Sequence, residues 1–255
     1  MSNQQIITDH AADGAYVVTM DYGDGAAVLS HAMTDALAAA LEAVPTDARC
    51  LVLQSTTPDF CAGRASPMPA AGSRIVAADI RRDVAEPVLD FYATLRAVPV
   101  PVIARVTGRA HGVGCAIVGL ADLALADDSL DLHLPEMDRD IPPLLVLTAL
   151  SGRVPRAVLA NLAFGRAVLD GPGARAAGLI AEQCDRKGLD ARLAEIRAAL
   201  ASNTPTTTRT VKRFLNATPE LGFESLREYA AAAISGAVAE RFPGKDTQAE
   251  DRRGG

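Results

Sequence analysis

The segment Val106-Thr107-Gly108-Arg109-Ala110-His111-Gly112-Val113-Gly114-Cys115-Ala116 constrains this chain more than any other. It follows a β-rich run at 102–106 and leads into an apolar helical stretch through Leu120. Glycines in a strand-to-helix turn leave backbone N–H groups unpaired, and the helix dipole adds positive character there. Such a turn suits an anion or an oxyanion. Taken alone the match is weak, because many strand–helix turns carry glycine. A second turn of this kind, Asp59-Phe60-Cys61-Ala62-Gly63-Arg64-Ala65, follows the run at 51–54. Its small residues let a ligand approach the backbone closely, and Gly63 permits a positive φ. By itself this segment reads equally well as an ordinary surface turn.

The rest of the first half alternates between strand and helix patterns. Short β-rich runs lie at 16–20, 51–54, 102–106 and 123–126. Between them, 32–44 is rich in Ala and Leu and stops before Pro45, which disfavours helix at the residue ahead of it. The stretch 79–98 places Val84, Val88, Phe91, Leu95 and Val98 on one side of a helix, with a kink expected at Pro87. This alternation predicts an α/β core with crossover connections. From Leu144 onward the pattern is mainly helical. Asp170 before Gly171-Pro172 reads as an N-cap and first turn. Later helices are expected near 189–201, 205–217 and 223–242, with a loose polar terminus beyond.

A chain of 255 residues with 49% hydrophobic and 22% charged residues can bury a sizeable core. Its net charge is −6 and its basic residues are scattered, which argues against nucleic acid or an anionic membrane as main partner. Residues 1–10 are polar and lack the apolar run of a signal peptide. No stretch approaches the roughly 20 apolar residues that span a bilayer. The four cysteines form no C-x-x-C pair and the four histidines lie far apart, so neither a disulfide framework nor a metal motif is expected. Reduced thiols in a cytoplasmic protein are the simpler reading.

Together, the two turns resemble those of the enoyl-CoA hydratase/isomerase (crotonase) superfamily. The first has the form F-C-A-G-x and the second V-x-G-x-A-x-G-x-G-C. Asp122, the Pro135-Glu136 pair, Ile141-Pro142 and the stretch ending Ala177-Gly178-Leu179-Ile180 agree with it. The resemblance runs from about residue 16 to 240 and is densest over 59–142. It implies a spiral of β-β-α units over 1–198, followed by a helical trimerisation region over 199–255. It also implies an acyl-CoA thioester substrate, a homotrimer or dimer of trimers, and no cofactor beyond the coenzyme A of the substrate.

Carried over position by position, the resemblance makes the backbone N–H groups of Arg64 and Val113 the two donors of an oxyanion hole for the thioester oxygen. Losing one such donor typically costs ~3–4 kcal/mol of transition-state stabilisation. Val113 stands where the family usually has glycine. Family hydratases use two glutamates; the second corresponds to Glu136, while the position of the first is Ala116. The family's I-P-G-A-G-G is replaced by Ile141-Pro142-Pro143-Leu144-Leu145, which places a residue lacking an N–H at Pro143. A single carboxylate suffices when one proton is moved between two carbons. The resemblance therefore favours double-bond isomerisation by Glu136 over hydration.

Other residues are candidates for auxiliary roles. His111, inside the second turn, is a possible acid or base for a hydrolase or decarboxylase on the same scaffold. His133 would orient Glu136 if both lay on one helical face. Asp138 or Asp140 are candidate replacements for the missing carboxylate. Ala62 and Lys212, with Arg213 beside it, are candidate coenzyme A contacts, and the Arg64 side chain is suited to a phosphate or a substrate carboxylate. Cys61 is expected to pack rather than react. The missing glutamate at Ala116 also leaves open a non-catalytic acyl-CoA binder.

Overall fold

The chain's structure is a computed structural model that describes residues 4–65 and 75–242. Successive residues of a strand point to opposite faces, so a strand buried on both sides must be apolar throughout. Strand β4 (Cys50–Ser55) shows this: Leu51 and Leu53 enter one core, Cys50 and Val52 the other. It lies inside a six-stranded sheet with β1 (Gln5–His10), β2 (Ala15–Asp21), β6 (Val102–Val106), β8 (Leu123–Ala126) and β10 (Glu182–Gln183), in the order β1-β2-β4-β6-β8-β10. The pairs from β2 to β10 are parallel, with Leu51 opposite Val102 and Ile103 opposite Leu123.

Strands β2, β4, β6 and β8 are each followed by a two- or three-residue strand and then by a helix. Thus β2 leads to β3 (Val28–Leu29) and α1 (His31–Glu42), and β4 to β5 (Gly63–Arg64), α2 (Ala77–Ile80) and α3 (Glu86–Ala97). In the same way β6 leads to β7 (Arg109–His111) and α4 (Val113–Leu120), and β8 to β9 (Asp131–His133) and α5 (Leu144–Leu150). The short strands pair in a second layer, β3 with β5 and β7 with β9, joined by a parallel bridge between Cys61 and Ala110. This is the expected spiral of β-β-α units.

Local chemistry sets the helix limits. Ser30 accepts the Met33 N–H at 3.2 Å to start α1, and, after α6 (Arg156–Ala163), Asp170 accepts that of Gly173 at 2.8 Å to start α7 (Gly171–Ala176). The kink expected at Pro87 takes a particular form. Lacking an N–H, Pro87 cannot bond back to Asp83, and the turn Arg81–Ala85 widens to π geometry between α2 and α3. The largely polar residues Gln5–His10 form a regular strand. Strand β1 pairs antiparallel with β2 along its whole length, since an edge strand needs backbone partners rather than apolar side chains.

Helix α8 (Arg186–Ala201) covers the far face of the sheet, where Leu189 and Leu193 meet Val52, Ile103 and Leu125. It runs past residue 198, the expected end of the core. Helix α9 (Pro205–Ala217) then crosses back. Arg209 donates to the Thr46 carbonyl at 2.8 Å and Asn216 to that of Arg96 at 3.1 Å. Helix α10 (Phe223–Ala239) leans on α9, with Phe214 and Tyr229 stacked at 5.9 Å, and none of its own residues is buried.

Candidate active site

The two glycine-bearing turns are zipped together. Phe60 N–H donates to the Thr107 carbonyl at 2.7 Å, Cys61 N–H to that of Arg109 at 2.9 Å, and His111 N–H to that of Cys61 at 2.9 Å. The Asp59 carboxylate reinforces the seam, accepting from the Arg109 guanidinium at 2.6 Å and from its backbone amide at 2.9 Å. Gly114 is glycine because any β-carbon there would overlap the Cys61 carbonyl oxygen.

Beside this seam opens a cleft of about 500 Å³. Ala62, Gly63 and Arg64 from the first turn and His111, Gly112 and Val113 from the second line it. Val84, Val88 and Tyr92 form a helical wall, facing Pro135, Glu136 and Arg139. Pro142 and Pro143 are also at the lining. Val113 is the first residue of α4, so its N–H has no acceptor within the helix.

Glu136 sits on a short 3-10 helix, Pro135–Arg139, directly after β9. The Gly112 N–H donates to the His133 carbonyl at 3.0 Å, which draws β9 and the second turn together. The Glu136 oxygen Oε2 is buried and, among the described residues, has no hydrogen-bond partner. Burial pushes its pKa above the ordinary carboxylate value. Its own backbone N–H, Arg139, His133 and His111 pull the other way, with less effect.

His111 lines the cleft, and its Nε2 lies 2.9 Å from the Asp131 carboxylate. Ala62 is also at the lining, with its N–H spent on the Ala27 carbonyl at 2.6 Å. Ala116 is fully buried in α4 and brings no carboxylate to the cleft. Cys61 is buried too, its thiol pushed up to about 11 by burial, which suits packing.

Several expected roles are corrected. His133 shares no helical face with Glu136, because it belongs to strand β9. Its ring turns to Asp138 at 3.4 Å and to the Ala167 carbonyl at 3.5 Å, and meets His111 edge-on at 5.6 Å. Asp138 is taken up by His133 and by Arg166 at 3.0 Å, and Asp140 is the exposed cap of the 3-10 helix. Neither is at the cleft lining, so neither replaces the missing carboxylate. Lys212 is 2% exposed and holds both Asp122 oxygens, at 2.7 and 2.8 Å. It is a buried structural cation, and neither it nor the exposed Arg213 beside it is at the cleft lining.

Two polar cleft residues, Tyr92 and Arg139, escaped sequence reasoning. Tyr92 is buried and follows Val84 and Val88 at helical spacing, and that repeat was the available signal. Arg139, three residues after Glu136, is an exposed cation at the lining with no ion pair among the described residues.

Comparison with known proteins identifies the family and the fold. Residues 11–240 match the family model described as enoyl-CoA hydratase/isomerase. The chain is 28% identical over 206 residues to the (7aS)-7a-methyl-1,5-dioxo-2,3,5,6,7,7a-hexahydro-1H-indene-carboxyl-CoA hydrolase of Rhodococcus jostii, covering 80% of this chain and 78% of that one. It is 24% identical over 204 residues to the rat mitochondrial enoyl-CoA hydratase domain-containing protein 3, covering 79% of this chain and 67% of that one. In fold it resembles the enoyl-CoA hydratase of Mycobacterium smegmatis, with a TM-score of 0.81 at 24% identity over 90% of this chain and 89% of that one. The human enoyl coenzyme A hydratase domain-containing protein 3 also scores 0.81, at 21% identity over 92% of each chain. The β-β-α spiral is thus the crotonase fold, and the chain belongs to the enoyl-CoA hydratase/isomerase family.

Proposed function

We propose that the protein is an acyl-CoA enzyme that shifts the double bond of an enoyl-CoA, with Glu136 as its single acid–base group. The carboxylate of Glu136 takes a proton from C2 of a 3-enoyl thioester, and the electron pair moves into a dienolate. The thioester oxygen, now negative, accepts from the Arg64 and Val113 amides. The same proton returns at C4, leaving the 2-enoyl product and the free carboxylate. The observation that carries this reading is the buried, unpartnered Glu136 oxygen in a cleft whose other carboxylate position is Ala116. Pro143 supports it, because it removes an N–H that a hydratase could use to hold water.

Coenzyme A is part of the substrate in this proposal, with Ala62 at its entry. The apolar Phe223, Ile234 and Val238 exposed on α10 support assembly as a homotrimer or dimer of trimers. The four unpaired cysteines suit a cytoplasmic setting, and no described helix is long and apolar enough to cross a membrane.

The test offers a 3-enoyl-CoA and a 2-enoyl-CoA to purified protein in parallel. Conversion of the first to the 2-enoyl product is expected, with Glu136→Gln slower by about 10²–10⁴-fold. Failure to turn over either substrate, or full activity in the variant, would refute the mechanism. A second reading, thioester or C–C hydrolysis, is favoured by the 2.9 Å contact between His111 and Asp131 at the cleft. The name of the Rhodococcus jostii relative points the same way. Release of free coenzyme A marks a thioesterase and chain cleavage a C–C hydrolase; tight acyl-CoA binding without turnover marks a binder.

A further inference from the structure

We infer that the acyl group this cleft accepts carries a carboxylate of its own, bound by the Arg64 side chain and the Tyr92 hydroxyl. The inference rests on the acyl-CoA reading and names its substrate class. Arg64 is half-buried at the cleft lining, and burial is the main influence lowering the pKa of its guanidinium. Among the described residues it makes no ion pair and no side-chain hydrogen bond. The nearest acidic influence on it, Asp35, is an exposed residue of α1 that forms no ion pair with it. The neighbouring stretch 66–74 contains no acidic side chain. An arginine removed from water without an anion is costly, and the arrangement makes sense when a ligand supplies one.

Tyr92 supplies the second donor. Its side chain is 5% exposed and lies at the same cleft lining as Arg64, with burial holding its hydroxyl in the neutral, donating form. A tyrosine hydroxyl in an apolar cleft wall normally finds a partner. This one has no hydrogen-bond partner among the described residues. Around the two donors the wall is apolar, with Val28, Val84 and Val88. A planar fork and a hydroxyl in an apolar wall match a carboxylate, which accepts two N–H bonds side by side.

A coenzyme A phosphate is the other possible anion, and position argues against it. In the proposed mechanism the Arg64 amide holds the thioester oxygen, so its side chain starts beside the acyl carbon. It then lies half-buried near Tyr92, whereas phosphates are strongly hydrated and better served by an exposed cation such as Arg139.

The experiment measures binding of glutaryl-CoA, valeryl-CoA and free coenzyme A to the purified protein by calorimetry. The two thioesters have equal acyl length and differ in the distal carboxylate. A hydrogen-bonded charged contact predicts a preference for glutaryl-CoA of at least about tenfold. In Arg64→Met that ratio should fall close to one, and in the isosteric Tyr92→Phe by about threefold or more. Equal or weaker binding of glutaryl-CoA by the wild type overturns the inference, as does a preference that survives in Arg64→Met. If Arg64→Met instead loses affinity for free coenzyme A, the side chain serves the phosphates and the inference fails. If neither thioester binds to the wild type, the acyl-CoA reading itself falls; if both bind equally, only the carboxylate does.

Discussion

Glu136 and Gly112 are stacked so closely that a β-carbon on Gly112 would stand 2.8 Å from the carboxylate oxygen Oε1. Gly112 also has a φ of 53° and a ψ of −112°, a conformation that residues with side chains rarely adopt. Gly112→Ala therefore meets strain and displaces the proposed base at the same time. We expect a stability loss of about 1–3 kcal/mol in urea unfolding. Activity should fall by roughly 10²-fold if the carboxylate moves by about 1 Å. Adding Gly112→Ala to Glu136→Gln should reduce activity little further, and an additive loss would separate the two effects.

Because burial raises the Glu136 pKa above the ordinary 4.5, its basic form appears only at higher pH than for a solvated glutamate. The acid limb of kcat/KM should be displaced upward to match. Stability follows with the opposite sense. The folded state holds this proton more tightly than the unfolded state, so the contribution is full below pH 4.5 and declines as pH rises through the elevated pKa. Glu136→Gln should thus melt above the wild type at pH 8, with the gap closing as the pH approaches 4.5. A gap that widens on acidification would contradict a raised pKa.

The Lys212–Asp122 pair predicts a stability effect rather than a binding effect. Asp122 also accepts the Val102 N–H at 2.7 Å, so the pair pins α9 to the start of β6. Lys212→Met leaves a carboxylate that is 17% exposed without its cation, and a loss of about 3–5 kcal/mol is expected in chemical denaturation. Coenzyme A affinity of the folded protein should not change. A selective loss of that affinity, with stability intact, would restore Lys212 as a ligand contact.

His111 separates isomerase from hydrolase chemistry. If Glu136 alone moves the proton, His111→Ala should keep double-bond isomerisation within about tenfold, less than the 10²–10⁴-fold typical of a lost acid–base group. A hydrolase working through the His111–Asp131 contact would lose activity in both His111→Ala and Asp131→Asn. Following free thiol and the conjugated thioester in the same samples distinguishes the two.

The buried strands β2, β4, β6 and β8 were legible as short apolar runs and the helix carrying Phe91 and Leu95 by its helical repeat, whereas the exposed strand β1 carries neither signal. The small strands β3 and β5 were not legible, since two residues cannot display a period. The two oxyanion turns could be matched by motif, yet the seam between them is made of backbone bonds and the Asp59–Arg109 pair, which no periodicity reveals. Lys212 reads from the sequence as a coenzyme A contact. Only the return of α9 to the start of β6 brings Asp122 to it. His133 was misplaced for a similar reason: the chain changes from strand to 3-10 helix between it and Glu136, so helical spacing does not apply.

The π turn at Arg81–Ala85 gives the cleft wall a separate adjustment. A π turn is one residue accommodated inside a helix, and it rotates everything upstream relative to everything downstream by roughly a quarter turn. Downstream, Phe91 and Leu95 are anchored in the core. Within the turn itself, Val84 lines the ligand space. Gain or loss of a single residue at this point would re-aim that part of the wall while the anchored half keeps its register. Pocket shape in this chain can therefore drift through length as well as through side-chain identity, without the core having to follow.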